Sequence, residues 1–210
     1  MHICQRSATT ARPSSFEADG RADTLVSDRP SYARAKKSLG QNFLVDPNLQ
    51  RKIVRALEVG PDDEVLEIGP GQGALTSHLV EKAGRVVAVE LDDDLASILA
   101  SRYVDTPSVE IVHGDVLKVP LTDHLHRPHE TLVIGNIPYN ITTPIIFRLL
   151  QRPRPRRIIL MIQEEVADRI VAPVGSKAYG ALSVGLRSVA KVEKLFRVRR
   201  GAFRHVPGVD

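Results

Sequence analysis

The sequence predicts an α/β protein built on a doubly wound parallel sheet. Three observations carry that expectation. From Asp46 onward, short runs rich in Val, Ile and Leu alternate with stretches of helical spacing, which is the pattern of strands joined by crossover helices. A glycine-rich turn, Gly69-Pro70-Gly71-Gln72-Gly73, follows the first of those runs. Later runs lead into Glu90, Gly114-Asp115 and Asn136, and sheets of this kind bind ligands beyond the strand C-termini, where the strand order reverses.

The elements follow in order. Residues 1 to about 35 are rich in Ser, Thr, Arg, Ala and Asp without apolar periodicity, so they read as a disordered tail ahead of a folded domain over 36–210. They hold no apolar core for a secretory signal. Arg6 and Arg12 precede the first acid, Glu17, which leaves an organellar transit peptide open beside an upstream start or a plain tail. Pro47 to Leu57 reads as a helix, with Asp46 as N-cap, Pro47 at the first position and Leu49, Ile53, Val54 and Leu57 on one face. Strands are expected at Glu64–Ile68, Val86–Leu91, Val109–Val112, Thr131–Gly135 and Arg157–Ile162. Helices are expected at Ala74–Ala83, Asp92–Tyr103 (Leu95, Ile98 and Leu99 inward), Pro144–Leu150 and Glu164–Val171. Ala181–Ala190 and Lys194–Arg199 read as further strands.

Composition narrows the partners. The chain has 210 residues, enough for one core plus a tail. No apolar run approaches the roughly 20 residues that span a bilayer. A single cysteine, Cys4, provides neither a disulfide framework nor a metal cluster; with no ligand set, no metal is expected, and a reducing, cytoplasmic setting fits. Net charge is +4, compatible with a polyanion. Arg148, Arg152, Arg154, Arg156 and Arg157 form one cluster, and Arg197, Arg199, Arg200 and Arg204 a second. Either alone reads as a solvated face. Together with a base-handling motif they point to RNA, with Arg154, Arg156, Arg157, Arg199 and Arg200 as the expected contacts.

The turn and the acids suggest a nucleoside-bearing cofactor. Gly69, Gly71 and Gly73 let backbone approach a ligand closely. Dinucleotides are the main rival to S-adenosylmethionine (SAM). Pro70 removes an N–H that a pyrophosphate would use, and Glu67 sets a carboxylate near the loop, which repels phosphate and suits a sulfonium amino acid. Glu90 can accept both ribose hydroxyls, for either cofactor. Asp115 can accept from an adenine amino group. Taken singly, Glu90 also reads as part of a solvated helix start and Asp115 as a turn residue; their joint order favours the cofactor.

Asn136-Ile137-Pro138-Tyr139 fits a planar amino group as target. An exocyclic amine is a poor nucleophile because its lone pair is delocalised. Accepting hydrogen bonds from both N–H groups localises that lone pair without a strong base. Asn136 offers its side-chain carbonyl, Ile137 or Pro138 a backbone carbonyl, Pro138 stiffens the turn, and Tyr139 can stack on the base. Such a base must be unpaired or flipped out.

These stretches, with Lys37-Ser38-Leu39-Gly40-Gln41-Asn42-Phe43-Leu44, Gly135 to Ile141 and Ser176-Lys177-Ala178-Tyr179-Gly180, closely resemble the small-subunit rRNA adenine N6,N6-dimethyltransferases. The resemblance runs from about Lys36 to Asp210. It implies a class I SAM-dependent methyltransferase fold, dimethylation of two adjacent adenines near the 3′ end of small-subunit rRNA, and SAM contacts from Asn42, Leu44, Gly69, Glu90, Asp115 and Asn136. It implies a small ribosomal subunit precursor as partner in ribosome biogenesis; a monomer without membrane contact is expected. Family members usually continue from Phe-x-Pro-x-Pro-x-Val-Asp-Ser into a small helical domain, whereas Phe203 to Asp210 reads Phe-Arg-His-Val-Pro-Gly-Val-Asp, so that domain is expected to be absent and RNA docking weakened. The alternatives are the related large-subunit rRNA adenine methyltransferases of macrolide resistance, which share Gln-Asn-Phe-Leu and Asn-Ile-Pro-Tyr, and a non-catalytic RNA-binding assembly factor that keeps the fold. An NAD-dependent enzyme is a third.

Overall fold

A computed structural model of the chain describes residues 2–4 and 41–204. The seven strands are β1 (His2–Cys4), β2 (Glu64–Ile68), β3 (Arg85–Glu90), β4 (Val109–His113), β5 (Leu132–Asn136), β6 (Arg157–Met161) and β7 (Lys191–Glu193). The helices are α1 (Pro47–Leu57), α2 (Thr76–Val80), α3 (Asp93–Arg102), α4 (Leu121–His124), α5 (Thr142–Leu149), α6 (Glu164–Val171) and α7 (Ala181–Arg187). Among the described residues the strands make one sheet of order β4-β3-β2-β5-β6-β1-β7. β2 to β6 run parallel, and β1 is antiparallel to both β6 and β7.

Both faces of the sheet are covered. Leu66, Ile68, Val87, Val89, Val133, Ile158 and Leu160 pack with Ile145, Ile146, Ile170, Leu182 and Leu186 of α5, α6 and α7. Val65, Val86, Leu132, Ile134 and Ile159 pack with Ile53, Val54 and Leu57 of α1 and with Leu79 of α2. Alternate residues of β2, β3, β5 and β6 therefore serve opposite cores, as a sheet buried on both sides requires. Asp46 Oδ1 caps α1 by accepting from Asn48 N (2.9 Å) and Leu49 N (3.2 Å).

The strand order reverses between β2 and β5. Ile68 is in register with Gly135, so the glycine-rich turn after β2 emerges beside Asn136 at the end of β5. Gly135 is required by this closeness: a Cβ there would stand 2.8 Å from the Ile68 carbonyl oxygen and 2.9 Å from Ile137 Cδ1. Gly135→Ala is expected to destabilise the protein by about 1–3 kcal/mol through overpacking. Chemical denaturation measures this, and wild-type stability in the variant would show that β2 and β5 can separate at no cost.

The opposite, N-terminal ends of the strands are tied by ion pairs. Arg85 reaches Glu64 (2.5 Å), Glu110 (2.5 Å) and the His124 carbonyl (2.7 Å). Burial alone would push the Glu64 carboxyl up, but bonds from the His126 and Arg127 backbone and from Arg85 hold it below its ordinary value.

The structure departs from the sequence expectations at several places, and a short helix, α4, stands where none was expected. Ala181–Arg187 is a helix and not a strand: Leu182, Val184 and Leu186 alternate, but only Leu182 and Leu186, four apart, are buried, while Val184 is 48% exposed. Ser183 Oγ accepts from Gly180 N (3.2 Å) and donates to Arg169 O (2.5 Å), which starts the helix against α6. The last strand lies at Lys191–Glu193, ahead of Lys194–Arg199, which packs irregularly on the core through Leu195, Phe196 and Val198. In α3, Ile98 sits at the rim and Ala96 is buried in its place. Finally, His2–Cys4, inside the stretch expected as a disordered tail, forms a strand that pairs the edges of β6 and β7, satisfying backbone groups those edges would leave open. The rest of that tail, Lys37 to Gly40 and His205 to Asp210 lie outside the described residues.

Candidate active site

A cavity of about 330 Å³ opens at the C-terminal ends of β2, β3, β4 and β5. Its wall includes Asn42, Leu44, Gly69, Gly71, Glu90, Asp115, Asn136, Pro138 and Tyr139, so the structure brings together every expected cofactor residue and the whole Asn-Ile-Pro-Tyr turn. A second, smaller cavity of about 80 Å³ shares Asn136, Tyr139, Met161 and Phe203 with the first and extends over Leu195 to Val198.

The glycine-rich turn forms because its three glycines take positive φ (65°, 60° and 81°), which a side chain would strain. At Gly71 a Cβ would also press on the Phe43 ring at 3.3 Å. Two neighbours hold the turn. Glu90 Oε2 accepts from Gly71 N (2.9 Å) and Arg102 Nη1 donates to Gln72 O (2.9 Å). Glu90 Oε1 accepts from Asp92 N (2.9 Å). The Leu91 backbone donates to this carboxylate as well, so three main-chain N–H groups anchor Glu90 beside the turn. Burial pushes the Glu90 carboxyl up, and the bonds from Asp92 and Gly71 oppose that.

Glu67 lies beneath the turn, 1% exposed, and accepts from Thr76 Oγ1 at 2.7 Å. Burial pushes its carboxyl up to about 7, against the Thr76 bond and with help from nearby Glu90. The folded protein therefore holds this proton more tightly than the unfolded chain, whose carboxyl titrates near 4.5. Stability from this group is full below about pH 4.5 and is lost as pH rises through about 7. Glu67→Gln removes this titration and leaves the others in place, so the wild type should lose on the order of 3 kcal/mol relative to it between pH 4.5 and 8. Urea denaturation of both proteins at the two pH values is the measurement, and parallel losses would disprove the assignment.

Asp115 serves two roles. Its Oδ1 accepts from Leu117 N (2.9 Å) and so caps the turn after β4, while its side chain still faces the cavity wall. Arg148, on α5, donates 2.6 Å to the Leu117 carbonyl and also to that of Val119, which anchors the same loop from below.

At the end of β5, Asn136 Nδ2 donates to Asn42 O at 2.8 Å. Tyr139 to Ile141 form a 3₁₀ turn. The Pro138 carbonyl is engaged there, accepting from Ile141 N (3.3 Å) and Thr142 Oγ1 (3.1 Å). Leu44 is buried, bridged to Phe203, and its carbonyl accepts from Gln50 Nε2 (3.0 Å).

The arginine expectation divides. Arg199 and Arg200 open the 3₁₀ turn at 200–202, and Arg200 lines the second cavity. Arg154, Arg156 and Arg157 do not belong to the site. They lie at the start of β6, at the opposite end of the sheet. Arg154 Nε donates to Leu150 O (2.7 Å), Arg156 pairs with Asp63 (2.7 Å) and Arg157 with Glu58 (2.5 Å). Sequence proximity to Arg148 suggested one patch, but the chain reverses there and their charges fasten α1 and the β2 entry to β6.

Several residues of the site were not singled out from sequence. Arg102 acts on a carbonyl 30 residues away, and nothing in the local sequence signals that. Gln41 donates to Asp92 Oδ2 (2.9 Å), and Phe43 and Phe203 line the cavity. These three stood within recognised motifs, so motif membership was the available signal.

Comparison with known proteins agrees with this geometry. The sequence profile described as "Ribosomal RNA adenine dimethylase" matches residues 32–210. The chain is 46% identical over 180 residues to the ribosomal RNA small subunit methyltransferase A of Geobacter metallireducens, covering 84% of this chain and 66% of that protein. The Geobacter sulfurreducens protein of the same name is 47% identical, with 84% and 65% covered. The chain thus spans slightly less than two thirds of these relatives' length. A dimethyladenosine transferase from Plasmodium falciparum superposes with a TM-score of 0.72 at 33% identity, covering 80% of this chain and 60% of that one. The 23S rRNA methyltransferase ErmE gives 0.71 at 32%, covering 80% and 66%. The α/β architecture is therefore the class I methyltransferase fold, and the chain belongs to the ribosomal RNA adenine dimethylase family.

Proposed function

We propose that the protein uses SAM to dimethylate the exocyclic N6 groups of two adjacent adenines near the 3′ end of small-subunit rRNA, acting as a monomer in the cytoplasm on a small ribosomal subunit precursor. The observation that carries this reading is the side-by-side placement of the glycine-rich turn and the Asn136 turn at the reversal of strand order. The relatives' names supply the rRNA class.

The residues fit SAM. Two buried carboxyl groups, Glu67 and Glu90, line the first cavity; a cationic amino acid beside them favours their charged forms, and a pyrophosphate would oppose those forms. Glu90 offers its carboxylate to the ribose hydroxyls. Asp115, Asn42 and Leu44 complete the wall. When bound, SAM supplies an electrophilic methyl group on a positively charged sulfur.

The chain's own part is positioning. Asn136 Oδ1 accepts one N–H of the target amine. The Pro138 carbonyl is committed to its own turn, so the Ile137 carbonyl is the second acceptor. Accepting both N–H bonds draws the nitrogen toward tetrahedral geometry and aims its lone pair. Tyr139 offers its ring for stacking, at the wall shared by the two cavities. Arg199 and Arg200 stand beside the second cavity and meet RNA phosphates.

Tritiated-methyl transfer from SAM tests the reading, with unmethylated small subunits, large subunits and naked rRNA as separate substrates. Label in adenine of small-subunit rRNA is expected. Label in large-subunit rRNA alone would favour the reading that the likeness to ErmE supports. No label anywhere, with SAM bound, would favour the assembly factor.

A further inference from the structure

The Asn136 amide has two ends of opposite character, and the proposed reaction needs only the oxygen. If the amide turned over, Nδ2 would face the target amine and two donors would meet. The structure contains a device against that. Nδ2 donates to the Asn42 carbonyl at 2.8 Å, across 94 residues. A turned amide would set Oδ1 against that carbonyl, losing a hydrogen bond and opposing two acceptors.

The Asn42 carbonyl is itself fixed. The chain just after it pairs with residues 202–204: Val45 N donates to Ala202 O (2.8 Å), Arg204 N donates to Phe43 O (2.9 Å), and Leu44 bridges Phe203. Leu44 and Ala202 are 6% and 9% exposed and share the core with α1. We infer that this two-stranded strap, 43–45 against 202–204, is a positioning device that holds the Asn136 amide with its oxygen toward the target. The inference rests on the methyl-transfer reading for its consequence, but the orientation of the amide can be measured without any reaction.

Two variants each remove one strap N–H. Arg204→Pro deletes the donor to Phe43 O; Phe203 before it is already extended (φ −112°, ψ 145°), the conformation a residue preceding proline adopts. Arg204→Ala is its control, keeping the N–H and removing the same side chain. Val45→Pro deletes the donor to Ala202 O from the other strand, with Val45→Ala as control. The first readout is hydrogen exchange of the Asn136 side-chain NH₂ in the full chain, identified by its absence in Asn136→Ala. Backbone amides of Val65 and Val133 report whether the core is intact.

Exchange at Asn136 is expected to speed up at least tenfold in a proline variant relative to its alanine control, with the core amides unchanged. The methyl-transfer kcat is expected to fall at least fivefold by the same comparison, and that gap should vanish in the Asn136→Ala background, because residues acting through one another are not additive. Unchanged Asn136 exchange with an intact core, in both proline variants, overturns the inference. So does faster exchange with an unchanged kcat. If the wild type transfers no methyl to any rRNA, the proposed function fails, and the exchange readout alone decides the orientation.

Discussion

Asn136→Ala is expected to lower methyl transfer to adenine N6 by roughly 10- to 150-fold, since losing a bond that aligns the reacting nitrogen costs about 1.5–3 kcal/mol. The loss should fall on both additions. Unmodified adenine presents two N–H donors to Asn136 and Ile137. After the first methyl only one N–H remains, and one acceptor loses its partner. With the backbone carbonyl as the unpaired one, Asn136 still orients the second reaction, so its removal slows that step too. Removing Asn136 also frees the Asn42 carbonyl from its 2.8 Å partner, so some loosening of 42–45 accompanies the loss. Mass spectrometry of mono- and dimethyladenosine over time separates the steps. Near-normal accumulation of dimethyladenosine would remove Asn136 from the reaction.

Glu90→Ala is expected to weaken SAM binding by about 10- to 150-fold, the equivalent of roughly 1.5–3 kcal/mol for bonds to a charged acceptor. Two effects add. The acceptors for the ribose hydroxyls disappear, and Gly71 N and Asp92 N lose the carboxylate that holds them at 2.9 Å. Glu90→Gln separates the effects, because an amide keeps one acceptor oxygen and loses the charge; an intermediate affinity is expected. Calorimetry with SAM, and with NAD as a negative control, gives the answer. Wild-type affinity in Glu90→Ala would rule the ribose assignment out.

Most of the parallel sheet was legible because its signals are local. Strands buried on both faces read as short runs dominated by Val, Ile and Leu, and α1 announced itself through Asp46, Pro47 and a clean apolar face. The site was legible for a related reason. In a doubly wound sheet the chemistry sits at strand ends, so the order of Gly69, Glu90, Asp115 and Asn136 along the chain already implied that they converge. The pattern failed where it was ambiguous. Leu182, Val184 and Leu186 satisfy a two-residue period, and only packing of Leu182 and Leu186 against the sheet decided for a helix.

The sequence by itself determined the fold class, the position of the glycine-rich turn and the place of Asn136 at the end of its strand, because each depends on residue type and short spacing. The tertiary structure alone decided which arginines face the site, since charge clusters carry no direction until the chain's reversal before β6 sends Arg154, Arg156 and Arg157 to the far end. It alone decided how deeply Glu67 is buried, which, with a smaller push from nearby Glu90, raises its carboxyl to about 7. It alone joined Asn42 to Asn136 and residues 43–45 to 202–204, contacts between segments about 90 to 160 residues apart. Such contacts form only after the sheet has brought distant chain together, and no local pattern encodes them.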